Sequence, residues 1–510
     1  MNDLSKAKKQ SMNLFDFSFD NPLTFAQATF WIFLAVVLLF YSPIKNKFRA
    51  RHFYLFAVSM FFYYLSSGKF VILLLITTIL TYLSGKAVFR FKKKSLKKFF
   101  LSLGVIISLA FLAYFKYAYF IVDIINTYFA TNIKVVDYLA LFSNNSFGTE
   151  FSIDKIILPA GISFYTFQAI SYIVDIYRQR LEKQPSFIDF AFYLSFFPSL
   201  VAGPIVRANE FLPQLEKPYS LSKKEFSWSL FFILNGLVKK IIISDYISAN
   251  FVDRVFEMPQ LYSSFENLLA VYGYALQIYC DFSGYTDIAI AVALLFGFRL
   301  PQNFNSPYKS FNITEFWRRW HISLSAWLKD YLYISLGGNR KGQFRRYINL
   351  MLTMLIGGLW HGANLRFIIW GGLHGLALVF DKLIKRLTDI FEKKTFFKFI
   401  SLFITFNFVC FCWIFFRAND TTTALNIISN IFSPYNVEII PAILTSYWKP
   451  LLLILAGYII HWLPKTAKDA IRECFIKTPI ALQLLAAIIT AVLLYQFKTA
   501  DIQAFIYFQF

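Results

Sequence analysis

LIGGLWHGANLRFIIWGGLHG, residues 355–375, is apolar enough to enter a bilayer, yet it carries His361, Asn364, Arg366 and His374. An ionisable side chain at bilayer depth costs about 2.5–3.5 kcal/mol on insertion scales, so it marks a functional site by default. Gly357 and Gly358 come one turn before His361 and Gly362 directly after it, and glycine lets a helix or a ligand come close. Asn364 and Arg366 point to an interruption of the helix between His361 and His374. On one straight helix His361 and His374 would be about 20 Å apart, too far to share a metal. Two readings stay open for each imidazole: a chemical role, or a buried histidine hydrogen-bonded to a neighbouring helix.

The rest of the sequence defines the setting of this stretch. Of 510 residues 57% are hydrophobic, 20% aromatic and only 16% charged, whereas soluble domains average about 25% charged. Apolar runs long enough for a hydrocarbon core of about 30 Å recur from end to end, so the expected class is an all-α polytopic membrane protein. The net charge of +22 would point to nucleic acid in a soluble protein; here Lys and Arg gathered in cytoplasmic loops account for it, and no nucleic-acid partner is expected. Cys280, Cys410, Cys412 and Cys474 are too few and too scattered for a disulfide framework. No Cys/His set has zinc spacing, so no metal is expected.

Expected spans are 25–43, 53–66, 69–89, 99–115, 156–177, 188–206, 226–250, 266–298, 347–363, 366–384, 397–416, 448–463 and 478–496. Some are too polar or too long for one plain span, 266–298 among them. The expectation is about 11 transmembrane helices plus re-entrant or interfacial elements, with 117–130 lying along the outer interface and Lys116 marking it. The runs KNKFRARH (45–52) and RFKKKSLKK (90–98) place the first and third connections in the cytoplasm and the N-terminus outside. Residues 1–24 read as an extracytoplasmic extension, without the pattern of a cleaved signal. Residues 25–510 read as a single membrane domain without internal repeats.

Polar residues collect in the middle and later third. Gln168, Ser171, Tyr172 and Asp175 fall on one helical face, either a polar seam between helices or a cavity wall. FPSLVAGPIVR (197–207) should break at Pro198 and Gly203-Pro204. Asp281 and Asp287 need hydrogen bonds, a cation or water. Cys280 beside them reads as a packed core thiol rather than an acyl carrier. Trp317, Trp320, Leu324, Trp327 and Tyr331 form one apolar stripe on a helix that dips through the interface. From 317 to 346 there are seven Lys or Arg and one acid. This is either a positive-inside loop or an electropositive floor for a phosphate-bearing cosubstrate, with Arg318, Arg319 and Lys329 on the donor side.

Taken together, EFWRRWHISLSAWLKDYLYISLGG (315–338) and GGLWHGANLRFIIWGGLHG (357–375) resemble the membrane-bound O-acyltransferase (MBOAT) family, in its bacterial alginate O-acetylase-like branch. LPAGISFYTFQAISYIVDIYR, YCDFSGYTDIAIA, GFRLPQNFNSPY, CWIFFRA and the terminal FIYFQF fit the same branch. The resemblance implies an MBOAT-like helical bundle with a funnel from each side meeting at a catalytic histidine, which corresponds to His361. It implies acyl transfer across the membrane from a cytoplasmic thioester, acetyl-CoA in this branch, to a hydroxyl outside. The acceptor would be an exported polysaccharide, reached with an extracytoplasmic partner, and the location the bacterial cytoplasmic (inner) membrane. No bound cofactor is implied.

The residue chemistry fits that role. Ester formation from a thioester needs a base for the hydroxyl proton, and histidine suits neutral pH. His321, Trp320, Trp360, Asn364, Gln168, Asp281 and His374 are candidate lining residues. Two alternatives stand beside polysaccharide O-acetylation: D-alanyl transfer to teichoic acid, and a transporter or flippase for a glycan precursor.

Overall fold

The computed structural model describes residues 22–149, 151–201, 203–384 and 395–497, with no β-strand among them. Most of the N-terminal extension and the terminal FIYFQF lie outside the described residues. Among the described residues six helical runs are long and apolar enough to cross a membrane, and a seventh counts if the pair Val437–Ser446 and Trp448–Trp462, bent by 86°, is one span. Eleven spans are not reached by this measure, because expected spans fuse or fall short. Phe48–Arg90 is one run of 43 residues broken at Gly68 (φ 59°), about 65 Å of helix at 1.5 Å per residue. Lys94–Phe129 likewise joins 99–115 to the expected interfacial 117–130.

The helices that bear on the site are labelled in chain order. Helix α1 (Lys94–Leu112) runs into a π-helical turn, Ala113–Tyr117. Helix α2 (Ile162–Tyr177) is buried over almost its whole length. The segment after it breaks as its prolines require: Phe187–Ser195, a short turn Phe197–Leu200, then non-helical chain over 203–207. Helices α3 (Lys223–Leu237) and α4 (Ser264–Leu295) each begin with a capping box, Ser222 with Glu225 and Ser263 with Glu266. Such reciprocal bonds satisfy two orphan N–H groups and fix the helix start.

Helix α4 is the axis of the core. Of the two reasons for doubting 266–298 as a plain span, length and polarity, length holds: α4 is one unbroken 32-residue helix, about 48 Å long at 1.5 Å per residue. Its carboxylates are neutralised by lysines from the π-helical continuation of α3, Val238–Asp245. Lys239 meets Asp287 at 2.6 Å, while Lys240 meets Asp281 at 2.6 Å and Asp245 at 2.8 Å. Close approach of the two helices is permitted by glycine: a Cβ on Gly236 would lie 2.6 Å from the Gly284 carbonyl oxygen.

The expected single stripe helix over 317–331 is instead two short helices, α5 (Ile313–Arg319) and α6 (Ile322–Trp327), followed by a π-helical turn, Leu328–Tyr333. The break is at His321, whose φ is 42°. It is held by Asn303, whose side-chain oxygen accepts from the Ser323 N–H at 3.1 Å and from its hydroxyl at 2.9 Å. All five stripe residues are buried nonetheless, because the break turns both halves into the core. The π turn is tied to α2, where Tyr331 donates to Asp175 at 2.9 Å, and to Arg207, which pairs with Asp330 at 2.6 Å.

Helices α7 (Gly342–His361) and α8 (Leu365–Leu383) form an antiparallel hairpin. Helix α9 (Thr395–Arg417) packs against α8, and α10 (Trp448–Trp462) leads into the amphipathic α11 (Lys465–Lys477).

Candidate active site

The interruption expected between His361 and His374 is found at residues 362–364. Helix α7 ends at His361, extended chain follows at Gly362 (φ −165°), and Asn364 caps α8 by accepting from the Arg366 N–H at 3.1 Å. His361 therefore sits at the tip of a tight hairpin, 3% exposed. The hairpin closes on glycine: a Cβ at Gly358 would collide with the Phe367 carbonyl, and one at Gly371 with the Met354 carbonyl.

A helix ending in the protein interior leaves its last carbonyls without partners, and here two side chains from the π turn after α1 supply them. Lys116 donates to the carbonyls of Trp360 at 2.8 Å and His361 at 3.0 Å, and Tyr117 donates to that of Leu359 at 2.8 Å. The Lys116 ammonium, expected to mark the outer interface, closes the C-terminus of the histidine helix. Arg366, in the first turn of α8, donates to the Phe416 carbonyl of α9, and the next residue of α9, Arg417, pairs with Asp253 at 2.5 Å.

Aromatic rings line the imidazole. Trp360, Trp370 and Phe416 lie 5.0, 5.0 and 5.3 Å from the His361 ring. Trp370 also meets the His374 ring at 4.9 Å, so one indole separates the two histidines. His374 is further enclosed by Trp317 at 5.2 Å and Phe316 at 6.0 Å. Trp320 joins through Trp413, which stacks near Trp370. His321 reaches the centre through Trp360, 6.2 Å between rings. Its Nδ1 lies 3.1 Å from the Asn303 side-chain oxygen. That oxygen already accepts from Ser323, so Nδ1 carries the proton and Nε2 is the basic nitrogen. Behind Trp360, Phe167 stacks on Trp360 at 5.2 Å and on Trp327 at 3.7 Å. The next residue, Gln168, is 1% exposed, and neither polar atom of its side chain has a hydrogen-bond partner among the described residues.

The remaining candidates are placed elsewhere. Asp281 belongs to the Lys240 ion cluster, although its neighbour Phe282 lies edge-on to His321 at 4.6 Å. Arg319 pairs with Glu315 at 2.7 Å, and Arg318 and Lys329 are exposed. Among the described residues no group of three or more His, Cys, Asp or Glu could hold a metal. Sequence reading did not single out Lys239, Lys240 or Trp413. The adjacent lysines interrupting the apolar run 226–250 were the available signal for the first two.

What these elements define is a polytopic helical membrane protein with an enclosed centre of histidine and tryptophan at the tip of a glycine-closed hairpin. The chain belongs to the membrane-bound O-acyltransferase (MBOAT) family, whose model matches residues 12–421, and its class of activity is acyl transfer. It is 37% identical over 399 residues to the peptidoglycan O-acetyltransferase of Helicobacter pylori, covering 73% of this chain and 72% of that protein. It is 43% identical over 335 residues to the probable alginate O-acetylase AlgI of Pseudomonas aeruginosa, covering 65% of this chain and 60% of that protein. Similarity to the teichoic acid D-alanyltransferase of Bacillus subtilis is lower, 31% over 268 residues, covering 49% of this chain and 66% of that protein. The match thus spans less than two thirds of the alginate relative's length.

Proposed function

We propose that this protein O-acetylates an exported polysaccharide, moving the acetyl group from a cytoplasmic thioester, acetyl-CoA, to a hydroxyl outside the membrane. The observation that carries the reading is His361 itself, a buried imidazole on a hairpin tip held by Lys116 and tied to the Phe416 carbonyl through Arg366. In this reading His361 takes the acceptor hydroxyl proton as the oxygen attacks the thioester carbonyl. The new C–O bond forms, the C–S bond breaks, and the proton passes to the departing thiolate. General-base assistance of this kind contributes about 10²–10⁴-fold. The greater similarity to the two O-acetyl-transferring relatives than to the D-alanyl-transferring one favours acetyl over D-alanyl transfer. The inner-membrane location, the outward N-terminus and an extracytoplasmic acceptor partner belong to the same proposal.

The test compares O-acetyl ester content of extracellular glycans in a deletion strain complemented with wild type or with His361→Ala, at matched membrane levels. Esters restored only by the wild type support the assignment. Equal restoration by both returns His361 to a packing role, and unchanged esters with altered glycan export would indicate a transporter.

A further inference from the structure

Two carboxamides are buried near Trp360, and their surroundings differ. Asn303 and Gln168 are each 1% exposed. The Asn303 side-chain oxygen accepts from the Ser323 N–H at 3.1 Å and from its hydroxyl at 2.9 Å, and the His321 Nδ1 lies 3.1 Å away. Only its amide nitrogen lacks a partner among the described residues. For Gln168 neither the oxygen nor the nitrogen of the side chain has one. Taking an amide out of water without a compensating bond is costly, and buried polar atoms of folded chains are almost always satisfied. Such an orphan calls for an explanation, and the setting of Gln168 supplies one.

Along α2, Gln168 lies one turn after Phe164 and on the same face. Phe164 and Phe167 pack on Trp360 at 5.5 and 5.2 Å, and Asp175 continues the face to Tyr331 at 2.9 Å. Main-chain contacts fix the depth of Gln168. Its carbonyl accepts from Ser171 at 2.8 Å and from Tyr193 at 3.3 Å, and Tyr193 also donates to the Val206 carbonyl at 2.9 Å. The neighbouring Ile205 N–H donates to the Ser323 hydroxyl at 3.0 Å, which leads on to Asn303 and His321. The carboxamide is therefore carried on the wall that holds Trp360, whose indole is 5.0 Å from the His361 ring. The rest of that wall is apolar, with Phe164, Phe167, Ile170, Ile205 and Trp360 in one buried cluster. Such a wall suits a small apolar group with one polar atom. An acetyl thioester, a methyl beside a carbonyl oxygen, has that composition. A sugar unit would bring several hydroxyls, each left unsatisfied there.

We infer that the Gln168 carboxamide donates a hydrogen bond to the carbonyl oxygen of the acyl thioester, which makes Gln168 a substrate-contacting residue of the His361 centre. The inference rests on the proposed acyl transfer and deepens it. As the acceptor oxygen attacks, the carbonyl electron pair moves onto its oxygen, and an Nε2–H of Gln168 stabilises that charge. As the C–S bond breaks, the pair returns to re-form the carbonyl. Gln168 neither gains nor loses a proton. A donor preorganised in this way lowers the stability of the fold that holds it.

The test uses the full chain in nanodiscs with acetyl-CoA isotopically labelled at the carbonyl carbon. Isotope-edited infrared difference spectra read the stretch of the bound carbonyl, and thermal unfolding is followed without ligand. Gln168→Met nearly keeps the side-chain volume and removes both polar atoms. Its carbonyl band should lie at higher wavenumber than in wild type, because losing the hydrogen bond strengthens the C=O bond. Ester formation should fall about 10²–10³-fold, the loss expected on removing one such donor, and mainly in kcat. The same variant should melt at or above the wild-type temperature, since its side chain gives up no partner among the described residues. Asn303→Leu, which strips the contacts to Ser323 and His321, should melt below it. An unmoved band, or a Gln168→Met protein that melts below wild type, overturns the inference and leaves acyl transfer through His361 standing. A wild-type protein that shows no bound thioester band overturns the acyl-transfer reading, and this inference with it.

Discussion

Lys116 and His361, 245 residues apart in the chain, meet at 3.0 Å between an ammonium and a main-chain carbonyl. The contact fixes the last turn of α7, and with it the direction of the imidazole. A displacement of about 1 Å in a reacting group can cost about 10²-fold in rate. Lys116→Met is therefore expected to lower the rate of ester formation in membranes about tenfold to a hundredfold at matched protein level. Lys116→Arg, which can still reach the two carbonyls, should recover much of it. Equal loss in both variants would mean that the lysine does more than position the turn.

The hairpin predicts a contrast between adjacent glycines. A Cβ on Gly371 would strike the Met354 carbonyl and come 3.2 Å from the Gly358 Cα, whereas one on Gly372 would meet only the Leu355 side chain at 3.6 Å. Overpacking against backbone costs about 1–3 kcal/mol. Gly371→Ala should lower the thermal unfolding temperature of the purified protein, and Gly372→Ala should leave it close to wild type. Similar melting of the two would remove the close approach as the reason for glycine.

These contacts also show what the sequence carries and what it hides. The membrane class follows from whole-chain composition and span-length apolar runs, while the break at FPSLVAGPIVR and the glycine-flanked His361 are visible within a window of a few residues. Lys116 reads in the sequence only as a lysine ending an apolar run, which ordinarily snorkels to the interface; its carbonyl partners, 244 and 245 residues away, are fixed only by tertiary packing. The stripe over 317–331 has a valid helical period, yet the left-handed turn at His321 depends on Asn303, 18 residues away.

Lys240 holds two carboxylates at once, Asp281 at 2.6 Å and Asp245 at 2.8 Å, all three nearly inaccessible. Removing one partner of a buried ion cluster leaves uncompensated charge and costs about 3–5 kcal/mol. Lys240→Met is expected to reduce folded yield and denaturant resistance by that order. Adding Asp245→Asn and Asp281→Asn should recover a substantial part of the loss. If the triple variant is as unstable as the single one, packing of the lysine stem rather than charge sets the cost.

Asp420 offers a pH-dependent test outside the membrane. It caps Thr421–Ile431, accepting from the Thr423 N–H at 2.7 Å. Bonds from the Thr423 backbone and then its hydroxyl hold the Asp420 carboxyl below its ordinary value. A carboxylate depressed in the folded state adds stability that is fully present above its unfolded pKa of about 3.9 and is lost as pH falls through the folded value. Hydrogen exchange over 421–431 should therefore speed up, relative to its intrinsic rate, as pH drops below about 4. Asp420→Ala should show the faster exchange at neutral pH, at a cost of about 1 kcal/mol. Asp420→Asn keeps a capping oxygen without the charge, so it should hold the helix and lose the acid response. An acid response that persists in Asp420→Asn would assign it to another group.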